Sequence, residues 1–166
     1  MPRDRHPDFH TRNHEAPAFL HRPRRADRLR WPTSPDERRE AAVCEVVFRA
    51  QLQQSLVDAP PPLRYYLAQQ GRDPDEALLH RLRAVVSEVH PLSHCRVSAR
   101  EGVVDRATGV RGMILQVARL AWVHAAAVDV VGGYYLTHRQ AAALRYHVVY
   151  DGHHWAVMTV HLLWRA

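Results

Sequence analysis

The sequence contains no lysine, and all 23 basic residues in its 166 are arginine. Arginine holds phosphate and carboxylate groups through two parallel hydrogen bonds, so an all-arginine surface suits an acidic partner. GC-rich coding explains the same bias, because the codons for Arg, Ala, Pro and Val are rich in G and C. The arginines are scattered along the chain, and this placement favours the coding explanation over a dedicated anion site.

Cysteine and long apolar runs are also scarce. Cys44 and Cys95 are too few for a disulfide framework or for a zinc site of their own. A membrane helix needs about 20 apolar residues, and the best run, 120–135, is interrupted by His124, Asp129 and two glycines. The N-terminus carries charges where a signal peptide has its apolar segment. The sequence therefore predicts a cytoplasmic protein with no membrane partner.

Charge and proline content divide the chain into two parts. Residues 1–33 hold eight arginines, four acidic residues and five prolines, with no hydrophobic period. Such a segment buries too little apolar surface to offset the entropy of ordering, so we expect a largely disordered Arg/Pro-rich tail. Residues 34–166 hold 15 arginines and 13 acidic residues, and their length fits a single domain.

Two capped helices are predicted at the start of this domain. Residues 34–37 read Ser-Pro-Asp-Glu, which supplies a capping box and a proline suited to the first turn. This helix should run to about Leu56, before three consecutive prolines. Residues 73–76 repeat the signal, and the second helix should span about 74–89. The intervening segment 63–70 fits either a helical turn or a short extended piece.

From Cys95 onward the apolar period is two, which is typical of β-strands. The pattern predicts a short hairpin, long strands over 112–123 and 125–136, and a final hairpin over 144–164. Gly132-Gly133 suggests a bulge or a sharp coil of the sheet. The predicted fold class is α+β, with two N-terminal helices packed on a curled, mainly antiparallel sheet of about four strands.

The final hairpin is predicted to have a three-residue loop, Asp151 to His153, with Tyr150 opposite His154. An odd-numbered loop collects the apolar residues of both strands on one face, because opposite residues of an antiparallel pair point the same way. The pairs would be Val148 with Ala156, Tyr146 with Met158, and Leu144 with Val160.

Short motifs accompany this order of helices and strands. They are Ala-Val-Asp-Val at 127–130, Tyr-x-Val at 146–148, Gly-x-x-Trp at 152–155 and Trp-x-Val at 155–157. In these respects residues 34–164 resemble the nuclear-transport-factor-two-like or cystatin-like α+β roll superfamily. The resemblance implies a cone-shaped sheet wrapped around helices. Some members are isomerases, dehydratases or epoxide hydrolases that use a cavity Asp or His, and many are non-catalytic binding modules. Three helices commonly precede the sheet there, whereas two are predicted here.

Asp129 is the main candidate for chemistry. It interrupts a Val- and Ala-rich strand, where a lone buried carboxylate is costly. In a cleft it would act as a general base, helped by His147 or Tyr135. The alternative is that its face of the strand is simply exposed to solvent. The candidate ligand-binding residues of the sheet are Tyr135, Arg145, Trp155, Thr159 and His161.

Histidine and cysteine spacings suggest a metal site that their context argues against. His90, His94 and Cys95 lie within six residues, but Pro91 disrupts a helical ligand pair and no fourth ligand follows at a recognisable spacing. Cys44 lies in the apolar stripe of the first helix and is expected to be a buried, unreactive thiol. No metal site and no cofactor are predicted.

Three functions follow as hypotheses. The leading one is a non-catalytic α+β domain that binds a protein partner or a small ligand through one sheet face, with homodimerisation as a further expectation. The second is a cavity enzyme that uses acid–base chemistry through Asp129 and His147. The third is nucleic-acid binding by the basic tail, residues 1–33, through counterion release.

Overall fold

The computed structural model describes residues 34–58 and 64–166. The predicted disorder of residues 1–33 therefore falls outside the described residues. The elements are α1 (Pro35–Asp58), β1 (Tyr65–Gln69), α2 (Glu76–Arg83), β2 (Val89–Pro91), β3 (Cys95–Ser98), β4 (Gly102–Asp105), β5 (Met113–His124), β6 (Ala127–Thr137), β7 (Gln140–Tyr150) and β8 (Trp155–Arg165). A short 3₁₀ turn, Leu92–His94, links β2 to β3. Neither helix in this part of the chain combines the length and hydrophobicity needed to cross a bilayer.

The main sheet has six strands in the order β2-β1-β5-β6-β7-β8, and β3 and β4 form a separate hairpin. Strands β5 to β8 are antiparallel in sequence order, whereas β1 is parallel to both β2 and β5. The predicted α+β class and mainly antiparallel sheet are confirmed. The predicted count of about four strands is wrong, because the sheet is mixed and has six. The second helix lies between β1 and β2 and not before the sheet.

The ambiguous segment after α1 is a central strand. Tyr65, Tyr66, Leu67 and Ala68 of β1 are all buried. A strand with parallel neighbours and both faces covered shows no alternation of apolar and polar residues. This explains why periodicity did not distinguish strand from helix here.

The second helix is shorter than predicted. It ends at Arg83, and Val89 belongs to β2, where it pairs with Tyr65. Asp75 caps the helix by accepting a hydrogen bond from the Leu78 amide at 2.6 Å. No glycine or proline near residue 84 signals the end of α2 in the sequence. The helix ends there because the following residues pair with β1 as strand β2.

Helix α1 packs on one face of the sheet, called the inner face below. Its capping box forms as predicted, with the Glu37 amide donating to Ser34 Oγ and the Ser34 amide donating to Glu37 Oε2. Its apolar stripe meets inner-face residues of β5, β6 and β7 in one core that also includes α2. The fully buried members are Val43, Cys44, Val47, Phe48 and Leu52 of α1 with Val117, Val128, Val130 and Val148 of the sheet.

The opposite, outer face is covered at one end by the β3–β4 hairpin. A second cluster there contains Tyr66, Cys95, Val103, Ile114 and Tyr135. The other end of the outer face, over the far halves of β6 and β7 and over β8, has exposed residues such as Arg145 and His161.

The final hairpin differs from the prediction. Tyr150 pairs with Trp155, so the loop has four residues and the three-residue loop is wrong. Asp151 builds this turn, since its carboxylate accepts hydrogen bonds from the His153 and His154 amides, both at 2.9 Å. Residue 158 is an extra residue that forms a bulge in β8. Beyond it, apolar residues of the two strands again lie opposite each other, as Tyr146 and Val160 do.

Candidate functional site

Asp129 and His147 form a pair on the outer face. They are directly opposite each other in β6 and β7, and His147 Nδ1 lies 2.8 Å from Asp129 Oδ1. Both side chains are about one-third exposed, at 36% and 38%. Val128 and Val130 point to the core, so strand alternation turns Asp129 away from it. The structure therefore joins the two predicted acid–base residues on a partly exposed surface.

Three of the predicted ligand-binding residues extend this surface onto β8. His147 pairs with Thr159 and Arg145 pairs with His161. Arg145, Thr159 and His161 are all exposed. This polar patch is open to solvent, and the half-buried Val131 of β6 lies opposite Arg145 on the same face.

The other two predicted ligand-binding residues lie elsewhere. Tyr135 is 5% exposed and packs beneath the β3–β4 hairpin, six residues along β6 from Asp129, which is about 20 Å of strand. Trp155 belongs to the inner face and packs edge-to-face on Trp122 with ring centroids 5.6 Å apart. Neither residue is brought to the Asp129–His147 pair.

Trp155 lines an open groove of about 730 Å³ between α1 and the final hairpin. Two of the arginines that line the groove have local partners, because Arg39 contacts Asp36 at 2.7 Å and Arg49 contacts Glu45 at 2.9 Å. Arg39 also lies 5.0 Å above the ring of Trp122. These ion pairs and the cation–π contact give the exposed arginines a structural role.

A second cavity, of about 310 Å³, lies on the inner face between the C-terminal half of α1 and strands β5 to β8. Its walls combine apolar side chains, among them Met113, Leu136 and Leu144, with polar and charged ones. The polar and charged side chains are Gln51, Gln54, Ser55, Tyr134, Arg139, Gln140, Tyr146 and Arg165. Sequence reasoning missed this cavity because its wall comes from five elements that are distant along the chain.

Two buried polar atoms of this wall have no hydrogen-bond partner within the described residues, Gln51 Oε1 and Tyr146 OH. Gln51 is 4% exposed and Tyr146 is 1% exposed. The Gln51 amide is oriented by its own Nε2, which donates to the Gln116 carbonyl at 2.9 Å. An unsatisfied buried polar group costs about 1–3 kcal/mol, so each such atom calls for an explanation.

Tyr146 is a neutral phenol at physiological pH. Burial raises the pKa of its hydroxyl to about 12, and a hydrogen-bond contribution from the nearby Gln51 side chain lowers it in part, although the geometry of the two groups falls short of a full hydrogen bond. The hydroxyl therefore remains a donor as well as an acceptor. The sequence did contain a signal for this site, since Gln51 follows Phe48 by three residues in the apolar stripe of α1.

Asp105 is the centre of a different buried network that sequence reasoning also missed. Its carboxylate accepts hydrogen bonds from Tyr66 OH at 2.9 Å and from the Thr108 amide at 2.8 Å, and it pairs with Arg64 at 2.8 Å. The hydrogen bond from the Thr108 amide is the main reason that the pKa of Asp105 lies well below its usual range. Burial acts in the opposite direction and raises this pKa. These partners occupy both oxygens, so the network is structural.

Neither cysteine has the setting of a nucleophile. Cys44 and Cys95 are buried and unbonded to each other, and burial raises the pKa of each thiol to about 12. Within residues 34–58 and 64–166, no group of three or more His, Cys, Asp or Glu side chains is arranged to hold a metal ion. His90 and His94 lie with ring centroids 6.3 Å apart.

Comparisons with protein-family models, with curated proteins and with solved structures gave no match for this chain.

Proposed function

We propose that this chain is a non-catalytic binding domain that holds a small amphipathic ligand in the inner-face cavity. The observation that carries the proposal is that Gln51 and Tyr146 both line a 310 Å³ cavity and each has a buried polar atom, Oε1 and OH respectively, with no hydrogen-bond partner within the described residues. This volume is at the lower end of the range for small-molecule pockets. A ligand head group that bonds both atoms would remove their desolvation cost.

The cavity specifies the chemistry of the ligand. Gln51 Oε1 accepts, so the head group must donate, and Tyr146 OH can donate to an acceptor on the same group. Met113, Leu136 and Leu144 provide apolar walls for a short hydrocarbon body. A primary amide or an alcohol on a chain of about eight carbons combines these properties.

The roll superfamily remains part of this proposal. What supports it is the arrangement of a long helix, α1, on one face of a mixed sheet in which β5 to β8 follow one another antiparallel. The resemblance implies a ligand cavity between helix and sheet, and many members of that superfamily bind a ligand or a partner without catalysing a reaction.

Calorimetric titration of the full chain with octanamide tests the proposal. N,N-dimethyloctanamide is the matched probe, because it keeps the acceptor and the hydrocarbon chain but has no N–H to donate. We expect octanamide to bind at least tenfold more tightly. Tyr146→Phe preserves the shape of the side chain and should weaken octanamide binding by about tenfold, the size of one net hydrogen bond. Gln51→Leu should abolish the preference between the two probes.

Asp129→Ala is the control for this experiment, and it also separates the two function classes. Asp129 lies on the outer face, so its loss should leave octanamide binding unchanged and alter stability by no more than about 1 kcal/mol. If the chain is instead an acid–base enzyme, Asp129→Ala abolishes its turnover. Octanamide binding that is absent at millimolar concentration, or equal for both probes, would refute the cavity proposal.

A further inference from the structure

The free edge of the sheet at β8 is exposed and almost uncharged. Within the described residues, β8 has β7 on one side and no strand on the other. Its 11 residues contain a single Asp, Glu, Lys or Arg, the terminal Arg165, and no proline. Large apolar side chains on it are exposed, namely Met158 at 63%, Leu162 at 59%, Leu163 at 43% and Val160 at 42%. A long apolar edge of this kind is a template for pairing with another strand.

The opposite edge of the same sheet is protected. Strand β2 has three residues and ends in Pro91, and short edge strands and prolines are the usual means of blocking strand addition. The β2 edge is thus blocked by its short length and its proline, whereas the β8 edge is long and is interrupted by bulges against β7 at Met158 and Leu163. Of the two edges, β8 is the one with the length to accept another strand.

We propose that two copies of this chain pair antiparallel through β8, so that two six-stranded sheets become one twelve-stranded sheet in a closed two-fold dimer. A two-fold axis at the strand centre opposes β8 to its own sequence read backwards. Counted from Val160 on the axis, Met158 lies opposite Leu162 and Val157 opposite Leu163, and Thr159 lies opposite His161 between them. Met158 and Leu163 are the residues at which β8 bulges against β7. Arg165 then lies opposite Trp155 and not opposite another arginine.

Self-pairing also fits the charge and the size of the edge. The chain carries a net charge of +6, so most surfaces of two copies repel each other, and the β8 edge is a surface where this repulsion is weak. An 11-residue strand is about 37 Å long, and a strip of that length buries roughly 1,000 Å² in total, near the lower limit of a specific interface. We therefore expect a dimer that dissociates in the micromolar range.

Sedimentation of the full-length protein between about 1 and 100 µM tests this inference. The wild type should shift with concentration from the 19.1 kDa chain mass to twice that mass. Val160→Lys and Leu162→Lys place charges near the axis and should weaken the dimer at least tenfold. Val123→Lys is the matched control, because Val123 is 59% exposed on β5, away from this edge. Circular dichroism confirms that each variant is folded.

The orientation is tested by oxidation of single-cysteine variants. Cys44 and Cys95 are buried, so the native cysteines should form few disulfide-linked dimers of their own. Antiparallel pairing centred on Val160 predicts a disulfide-linked dimer for Val160→Cys and none for Ala156→Cys, whose two copies would be about 27 Å apart. A wild type that stays monomeric at 100 µM, species that grow beyond the dimer, equal disruption by Val123→Lys, or equal cross-linking at residues 156 and 160 would each overturn the inference.

Discussion

At the scale of the residue, Asp105 shows how one buried carboxylate holds two segments together. It is 5% exposed and joins Tyr66 and Arg64 at the start of β1 to Thr108 in the turn after β4. These partners favour the ionised form, which is why the pKa of Asp105 lies well below its usual range. Folding of this corner therefore depends on the charge of a single side chain.

Asp105→Asn should flatten the acid dependence of stability. A carboxylate with a lowered folded pKa stabilises the fold above its unfolded pKa, near 3.8, and this contribution is lost as the pH falls toward the folded pKa. The melting temperatures of wild type and Asp105→Asn should therefore differ most at pH 6–7, begin to approach each other below about pH 4, and converge only as the pH falls to the folded pKa. Thermal unfolding followed by circular dichroism measures this.

Asp36→Asn is the control for the acid experiment, because the Asp36 side chain is 82% exposed and its ion pair is on the surface. Its effect on the melting temperature should be small at every pH. A gap between wild type and Asp105→Asn that stays constant from pH 7 to pH 3 would contradict the assigned role of the Asp105 network.

At the scale of the element, a bulge in β5 decides how β5 and β6 pass one another. The predicted distortion at Gly132-Gly133 is present, but the extra residue is Ala118 in the partner strand, between pairs Val117–Gly132 and Arg119–Val131. A Cβ on Gly132 would lie 2.4 Å from the Gln116 backbone oxygen and 2.9 Å from Gln51 Nε2. The glycine is therefore required for the close approach of β5, β6 and α1.

Gly132→Ala should destabilise the domain by about 2–4 kcal/mol, since the methyl group must displace backbone and disturb the Gln51–Gln116 hydrogen bond. Gly109→Ala is the comparison. Its Cβ would meet nothing within 4 Å, but its φ of +71° is strained for alanine, so about 1 kcal/mol is expected. Urea unfolding measures both. Equal losses of unfolding free energy for the two variants would show that the structure around Gly132 accommodates the added methyl group, and would contradict this prediction.

At the scale of the whole molecule, positive charge and apolar surface are concentrated in different places. Residues 1–33 carry an excess of four positive charges, and residues 34–166 an excess of two. The exposed apolar edge at β8 belongs to the second part. Binding to polyanions and self-association are therefore expected to depend on different parts of the chain.

Removal of residues 1–33 should lower the salt concentration at which the protein elutes from immobilised heparin, because fewer counterions are released on binding. The melting temperature of the shortened chain should stay within about 3 °C of the full chain, which corresponds to less than about 1 kcal/mol. Elution at the same salt concentration as the full chain would remove the basis for the nucleic-acid hypothesis.

Local features of the chain were predictable because their signals are local. The capping box at Ser34 and Glu37 needs four residues, and the long strands β5 to β8 each present a period of two over about ten residues. The buried state of Cys44 follows from its place in an apolar stripe. Strand alternation also allowed Asp129 and His147 to share one surface, either a cleft or a solvent-exposed face, and the two side chains are hydrogen-bonded.

What the sequence alone determined is thus the α+β class, the start of α1 and the antiparallel strands. The tertiary structure decided the rest. β1 is buried on both faces and so lacks a period, the end of α2 depends on the pairing of Val89 with Tyr65, and the hairpin loop follows the hydrogen bonds of Asp151. The cavity at Gln51 and Tyr146 exists because residues 95 positions apart meet across helix and sheet. Such long-range contacts leave no periodic trace in the sequence.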